Sequence, residues 1–130
     1  MFRQALEIRL DKLGNRHPDV ALSYNNIGCA LHGQGKCEEA IRMHEKALEI
    51  RLDNFGEKHP DVALSYYNVG CVLRRQVNYK EAMKAYRQAL DIQLEVLGNR
   101  HTDVADTYHC MGNTLTKQNQ HTKARVMFQE

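Results

Sequence analysis

Ala47-Leu48-Glu49-Ile50-Arg51-Leu52-Asp53 decides the fold, because it is the middle of three copies. Ala5-Leu6-Glu7-Ile8-Arg9-Leu10-Asp11 stands 42 residues before it, and the looser Ala89-Leu90-Asp91-Ile92-Gln93-Leu94-Glu95 stands 42 residues after. The punctuation keeps the same step. His17-Pro18-Asp19-Val20-Ala21 returns as His59-Pro60-Asp61-Val62-Ala63 and as His101-Thr102-Asp103-Val104-Ala105, each preceded at a fixed distance by Gly14, Gly56 or Gly98. A fixed period between about 20 and 50 residues marks a solenoid, in which no unit buries its apolar face alone and each does so against its neighbours.

Each period divides into two helices. Gly56 sits where a helix ends, as the αL residue that satisfies the last carbonyls at no steric cost. Pro60 and Asp61 restart the chain, Pro pre-set for the first helical turn and the carboxylate placed to cap free N–H groups and complement the dipole. From Val62 the apolar positions Tyr66, Val69, Gly70 and Leu73 keep helical spacing and define helix A, which gives way to a turn near Gln76-Val77-Asn78. Ala82, Tyr86, Ala89, Leu90 and Leu94 carry a second stripe, helix B, running to Leu97 before Gly98. Gly28, Gly70 and Gly112 recur inside helix A, where glycine costs about 1 kcal/mol relative to alanine, so a close helix contact is expected there. Ala40, Ala82 and Ala124 are expected to face these glycines. The large residues Tyr24, Tyr66 and Tyr108 of helix A and His44, Tyr86 and Phe128 of helix B then fill the remaining space.

Composition narrows the classes. The chain's 130 residues suffice for one domain, with 42% apolar and 26% charged residues, and no apolar run reaches the roughly 18 residues of a membrane helix. The first residues carry no apolar signal region, so a cytoplasmic address with no membrane association is expected. Cys29, Cys37, Cys71 and Cys110 form no CxxC pair and are expected as free thiols. A net charge of +2 and a pI near 8.4 are too mild for a nucleic-acid binder.

The repeated residues resemble the tetratricopeptide signature W-x2-L-G-x2-Y followed by A-x3-F. The matches are Tyr24-x2-Ile27-Gly28-x2-Leu31 with Ala40-x3-His44, Tyr66-x2-Val69-Gly70-x2-Leu73 with Ala82-x3-Tyr86, and Tyr108-x2-Met111-Gly112-x2-Leu115 with Ala124-x3-Phe128. The departures are Tyr for Trp, Leu for Tyr, and no Pro after helix B, which runs about two turns longer than in the usual 34-residue unit. This long form resembles the repeats of kinesin light chains and nephrocystin-type proteins. The resemblance implies an all-α fold, an alpha-alpha superhelix of about seven antiparallel helices forming a single domain over residues 1–130. Residues 2–13 read as helix B of a truncated repeat, 19–56 and 61–98 as whole repeats, and 103–130 as a truncated repeat. Apolar surface at the ends, and end-to-end association of like chains, are expected from uncapped repeats.

The resemblance also implies a non-catalytic module that binds short peptide segments in a concave groove lined by helix A, cargo-adaptor-like as in kinesin light chains. By the family's pattern the groove positions are Leu22, Asn25, Asn26, Cys29, His32 and Gly33 in the first repeat. Leu64, Tyr67, Asn68, Cys71, Arg74 and Arg75 follow in the second, and Asp106, His109, Cys110, Asn113, Thr116 and Lys117 in the third. Asn26 and Asn68 offer a donor and an acceptor to a peptide backbone, or alternatively bond within their own helix pair. Arg74, Arg75 and Lys117, with His32, form a basic patch suited to acidic peptide residues or a terminal carboxylate, or alternatively a solvated helix end. Asn25 stands where the carboxylate-clamp repeats of chaperone-binding relatives place Lys. Tyr67, Arg74 and Lys117 suit the Trp-and-acid peptides taken by kinesin light chain repeats.

A catalytic reading has little to rest on. His17, His59 and His101 recur one repeat apart, too far to share a metal when helices pack at roughly 8–10 Å. Cys29 and Cys71 are likewise repeat equivalents whose third member is Asn113, and no P-loop or HExxH helix occurs. No enzyme activity, metal or cofactor is therefore expected. Two other classes stay open: an assembly scaffold that self-associates through its ends or outer face, and a regulatory array of a larger enzyme or nucleotide-hydrolysing protein.

Overall fold

The computed structural model describes the backbone of residues 2–14 and 16–129, with the side chains of those residues other than 11–13 and 123–129. Six helices follow one another: α1 Phe2–Leu13, α2 Pro18–Gly33, α3 Cys37–Phe55, α4 Pro60–Arg75, α5 Tyr79–Leu97 and α6 Thr102–Gln129. Each packs on the next, and the other described pairs in contact are α2 with α4 and α4 with α6. The chain is thus an all-α solenoid of antiparallel pairs in which helices A (α2, α4, and α6 from Thr102) touch across the repeats.

Helix A begins at a histidine. The Nδ1 atoms of His17, His59 and His101 accept hydrogen bonds of 3.1, 3.0 and 3.1 Å from the backbone N–H groups of Asp19, Asp61 and Asp103. The cap is therefore the imidazole, where the sequence suggests the carboxylate. Pro18 and Pro60 have no N–H, so the aspartate amide is the first donor a side chain at the cap can reach.

The turns also differ from expectation. Gly56 has φ 78° and ψ −176°, and Gly98 has φ 84° and ψ 168°. This is extended backbone of the wrong hand for any side chain, not the αL conformation. The left-handed turns lie between helix A and helix B instead, at Gly35 (φ 81°) and Val77 (φ 67°). There the Lys36 N–H donates to the Leu31 carbonyl at 2.9 Å and the Asn78 N–H to the Leu73 carbonyl at 3.0 Å, the six-to-one closure of a Schellman motif.

Within each pair the contact is a ring seated on a glycine. A Cβ added to Gly28 would lie 2.8 Å from the His44 ring, and one added to Gly70 would lie 2.9 Å from the Tyr86 ring. The large residue of helix B, rather than Ala40 or Ala82, faces the glycine. Those alanines are fully buried beside it in the two clusters that join α2, α3 and α4, and α4, α5 and α6.

The third repeat does not turn. The sequence suggests about seven helices, yet α6 runs unbroken through Asn119, the counterpart of Gly35 and Val77. The polar run Thr116-Lys117-Gln118-Asn119-Gln120 has no apolar side chain to bury by turning, so it gains little by breaking its helical hydrogen bonds. No described atom lies within 4 Å of a Cβ at Gly112. Ala124 and Phe128, expected opposite Gly112, have side chains outside the described set.

A polar joint links each helix B to the next helix A. The Arg9 guanidinium donates to Ser23 Oγ at 2.7 Å and to the Asp19 carbonyl at 2.9 Å. Arg51 does the same with Ser65 Oγ at 2.9 Å and the Asp61 carbonyl at 3.3 Å. In the third joint both partners are replaced and Thr107 Oγ1 donates to Gln93 Oε1 at 2.6 Å. Arg51 is only 4% exposed, and burial pulls its pKa down from the ordinary value.

Two expectations follow from this packing. Gly70→Ala should destabilise the fold by about 1–3 kcal/mol, because the Tyr86 ring must leave its seat. Gly112→Ala should stabilise it by roughly 0.5–1 kcal/mol, since helix propensity acts there without a clash. Urea melts of the two variants would show opposite shifts in midpoint. The second concerns His44, which is 1% exposed and whose Nδ1 has no partner among the described residues. Burial, with the nearby His32 and Arg51, lowers its pKa from 6.5 to about 4. Between those values the unfolded chain binds a proton that the folded protein refuses. Stability is therefore complete above pH about 6.5 and falls on acidification to about 4, by on the order of 3 kcal/mol in full. His44→Phe should flatten this part of a stability profile measured against pH.

Candidate functional site

The A helices meet through contacts spaced one repeat plus one residue apart. Asn68 Nδ2 donates to Asn25 Oδ1 at 2.7 Å, Arg75 Nη1 donates to the His32 carbonyl, and Tyr67 Oη lies 3.2 Å from Cys110 Sγ. These contacts hold α2, α4 and α6 side by side, while α3 and α5, on the other side, do not touch. The A side is therefore the closed side of the curve.

Seven of the eighteen expected groove positions come together in one concavity there. His32, Cys71, Arg74, Arg75, Asn113, Thr116 and Lys117 line a cavity of about 710 Å³ together with Val77, Tyr79 and Gln120. Among the described residues its lining holds three permanent cations and no carboxylate. The order of the elements explains the concentration: Arg74 and Arg75 close α4, His32 lies near the end of α2, and Lys117 lies at the same level of α6. Cations there also suit the negative ends of the α2 and α4 dipoles.

The pocket's groups differ in freedom. Arg75 places one guanidinium nitrogen on the carbonyl of His32, so it satisfies the end of α2 while it faces the cavity. The His32 pKa is lowered, first by burial and then by Arg75 and Arg74, which keeps a third class of positive charge out of the neutral-pH site. Arg74 and Lys117 have no ion-pair partner among the described residues. Cys71 forms part of the floor. Burial pushes its thiol pKa up, although Tyr86 donates a hydrogen bond to the sulfur at 3.4 Å.

The other predicted groove residues are placed differently. Asn25 is 7% exposed, with its carbonyl oxygen occupied by Asn68. Asn26 is half-buried, and Asn68 is half-buried with one N–H engaged by Asn25 of the preceding repeat, a bond between repeats where the sequence suggests one within the helix pair. Cys29 is exposed, its thiol pKa raised by burial of the sulfur and partly offset by Arg51. Tyr67 is half-buried, tilted against Tyr86 with ring centroids 5.7 Å apart, and burial with the Cys110 contact raises its phenol pKa. His109 lies exposed beside Asn113, Nε2 to Nδ2 3.2 Å. Val77, Tyr79 and Gln120 line the pocket from outside the helix A positions and were not among the predicted residues. The turn signal at Gln76-Val77-Asn78 could have pointed to the first two, since a turn beside the last residue of α4 must border whatever that residue borders.

All four cysteines are free, no group of three or more His, Cys, Asp or Glu side chains among the described residues is placed to hold a metal ion, and no described helix is long and apolar enough to cross a membrane.

A tetratricopeptide repeat model matches residues 1–53, 34–95 and 72–130, and the overlapping matches together run the length of the chain. No curated protein sequence matches it significantly. Among solved structures, BtubC (BKLC) from P. vanneervenii superposes with a TM-score of 0.80 at 24% identity, over 97% of this chain and 50% of that one. A candidate kinesin light chain from Podosopora anserina, built of nearly identical TPR-like repeats, superposes with a TM-score of 0.80 at 20% identity, over 95% of this chain and 58% of that one. The chain thus spans between half and three fifths of those two proteins, and identities this low carry the fold alone. Tetratricopeptide arrays are in general protein-interaction modules and typically non-catalytic. With the signature in phase three times, rings seated on helix A glycines and the family model matched end to end, the chain belongs to the tetratricopeptide repeat family and is shaped like kinesin light chain arrays.

Proposed function

We propose that this array is an adaptor module that holds an acidic peptide segment of a partner protein in the concave pocket between α4 and α6. The observation that carries the reading is the pocket's charge: Arg74, Arg75 and Lys117 around about 710 Å³ with no carboxylate in the lining. Arg74 supplies a planar fork suited to a carboxylate, and Lys117 a mobile point charge from the opposite wall. Asn113 and Thr116, one turn apart on α6, supply side-chain groups that can pair with a peptide backbone. Asn68 acts at one remove, since its bond to Asn25 fixes the spacing of α2 and α4 on which the pocket depends. The likeness to kinesin light chain arrays supports a cargo-adaptor type of module.

A second reading, assembly of like chains, draws on a stripe of α6. Tyr108 is 53% and Leu115 47% exposed, and Met111 lies between them at helical spacing. Such a face suits packing against another copy.

Screening the purified chain against an unbiased peptide array should select acidic sequences. Arg74→Glu and Lys117→Glu should each weaken the hits about tenfold or more, and raised salt should weaken them further. Hits indifferent to both variants and to salt would sink the peptide-groove reading. For the second reading, light scattering should show mass rising with concentration, and Leu115→Lys should abolish the rise. A mass that stays monomeric at every concentration would refute it.

A further inference from the structure

We infer that the outer face of the array carries a second docking site, a groove between α3 and α5 that takes an amphipathic helix of a partner protein with basic residues along one flank and acidic residues along the other.

The groove exists because the B helices stand apart. α3 and α5 each pack on α4 but not on each other. The space between them measures about 650 Å³, with Tyr66, Val69 and Leu73 of α4 as its floor and Ile41 and Leu48 of α3 and Ala85 of α5 on its walls. All of these but Ala85 are only partly buried, so they form one continuous half-exposed apolar strip. Two floor positions are those at which this chain departs from the tetratricopeptide signature: Tyr66 stands for Trp and Leu73 for Tyr. Smaller side chains there leave a trough where bulkier ones would fill it.

The groove is a repeated feature. Every residue lining a smaller cleft of about 340 Å³ along α1, α2 and α3 has its counterpart, 42 positions later, in the lining of the larger groove. The larger one has Ala85 where the smaller has Met43, which accounts in part for the extra room.

The occupant's form follows from the walls. They are helices, whose backbone groups are already paired, so the lining offers an extended peptide few partners for its own N–H and C=O groups. A helix brings its backbone satisfied and presents an apolar stripe at i, i+3 or i+4 and i+7, the spacing also shown by Tyr66, Val69 and Leu73. Its flanks follow from the rim. Glu45 of α3 and Arg87 of α5 occupy the same position of successive repeats with opposite sign, one on each wall, both exposed and neither in an ion pair among the described residues. Glu81 and Lys84 pair with each other at 3.4 Å and leave the rim's polarity to Glu45 and Arg87. The helix therefore sets its cations against Glu45 and its anions against Arg87.

Three synthetic helical peptides with one leucine stripe test this: one flanked by Lys on one side and Glu on the other, one by Glu on both sides, one by Lys on both. Fluorescence anisotropy on the whole chain should rank the mixed peptide first by about fivefold. Glu45→Lys should move the preference to the Glu-flanked peptide and Arg87→Glu to the Lys-flanked one, with thermal melts confirming that both variants fold. Arg74→Glu, across the molecule, should leave the mixed peptide's affinity unchanged. Absence of binding by all three peptides, a ranking untouched by the rim variants, or loss of binding in Arg74→Glu would overturn the proposal.

Discussion

The seat of a helix B ring on a helix A glycine is the constraint from which the rest of this architecture follows. His44 over Gly28 and Tyr86 over Gly70 bring the two backbones of a pair closer than any side chain at the glycine would allow. That close approach fixes how each hairpin folds, and stacking the hairpins then fixes the curve. The glycine gives up helix propensity, and the positive-φ turn at Gly35 or Val77 is tolerated because burying the ring offsets both.

Between repeats the work is divided by polarity. Apolar clusters join each helix B to its neighbours, while Arg9 with Ser23, Arg51 with Ser65 and Gln93 with Thr107 set the register of one repeat on the next. A guanidinium that reaches both a hydroxyl and a backbone carbonyl accepts only one placement of the facing helix, which a slippery apolar contact would not impose. The change from Arg–Ser to Gln–Thr keeps a donor and an acceptor in place while removing a buried charge, so geometry is the property retained.

The two faces of the array follow from the same curvature. On the inner side, contacts between A helices bring Arg74, Arg75 and Lys117 together around one cavity at the end of α4 and in the middle of α6. On the outer side, the B helices part and leave apolar floor residues half-covered. A cationic concavity and an apolar trough thereby lie on opposite surfaces of one solenoid.

The sequence by itself determined the period, the pairing of helices and the family. Ala-Leu-x-Ile runs, His-Pro-Asp joints and in-phase glycines are local signals that repeat, and repetition multiplies weak evidence. The family's pattern, counted along helix A, put Arg74, Arg75, Lys117, His32, Cys71 and Asn113 among the expected groove positions. Only the tertiary structure decided which side chain meets each glycine, that the imidazole rather than the carboxylate caps helix A, and that Asn25 is spent on Asn68. The first and last depend on distances between segments about 16 to 43 residues apart, which a one-dimensional period does not contain, and the cap on which of two neighbouring side chains the backbone turns toward the free N–H.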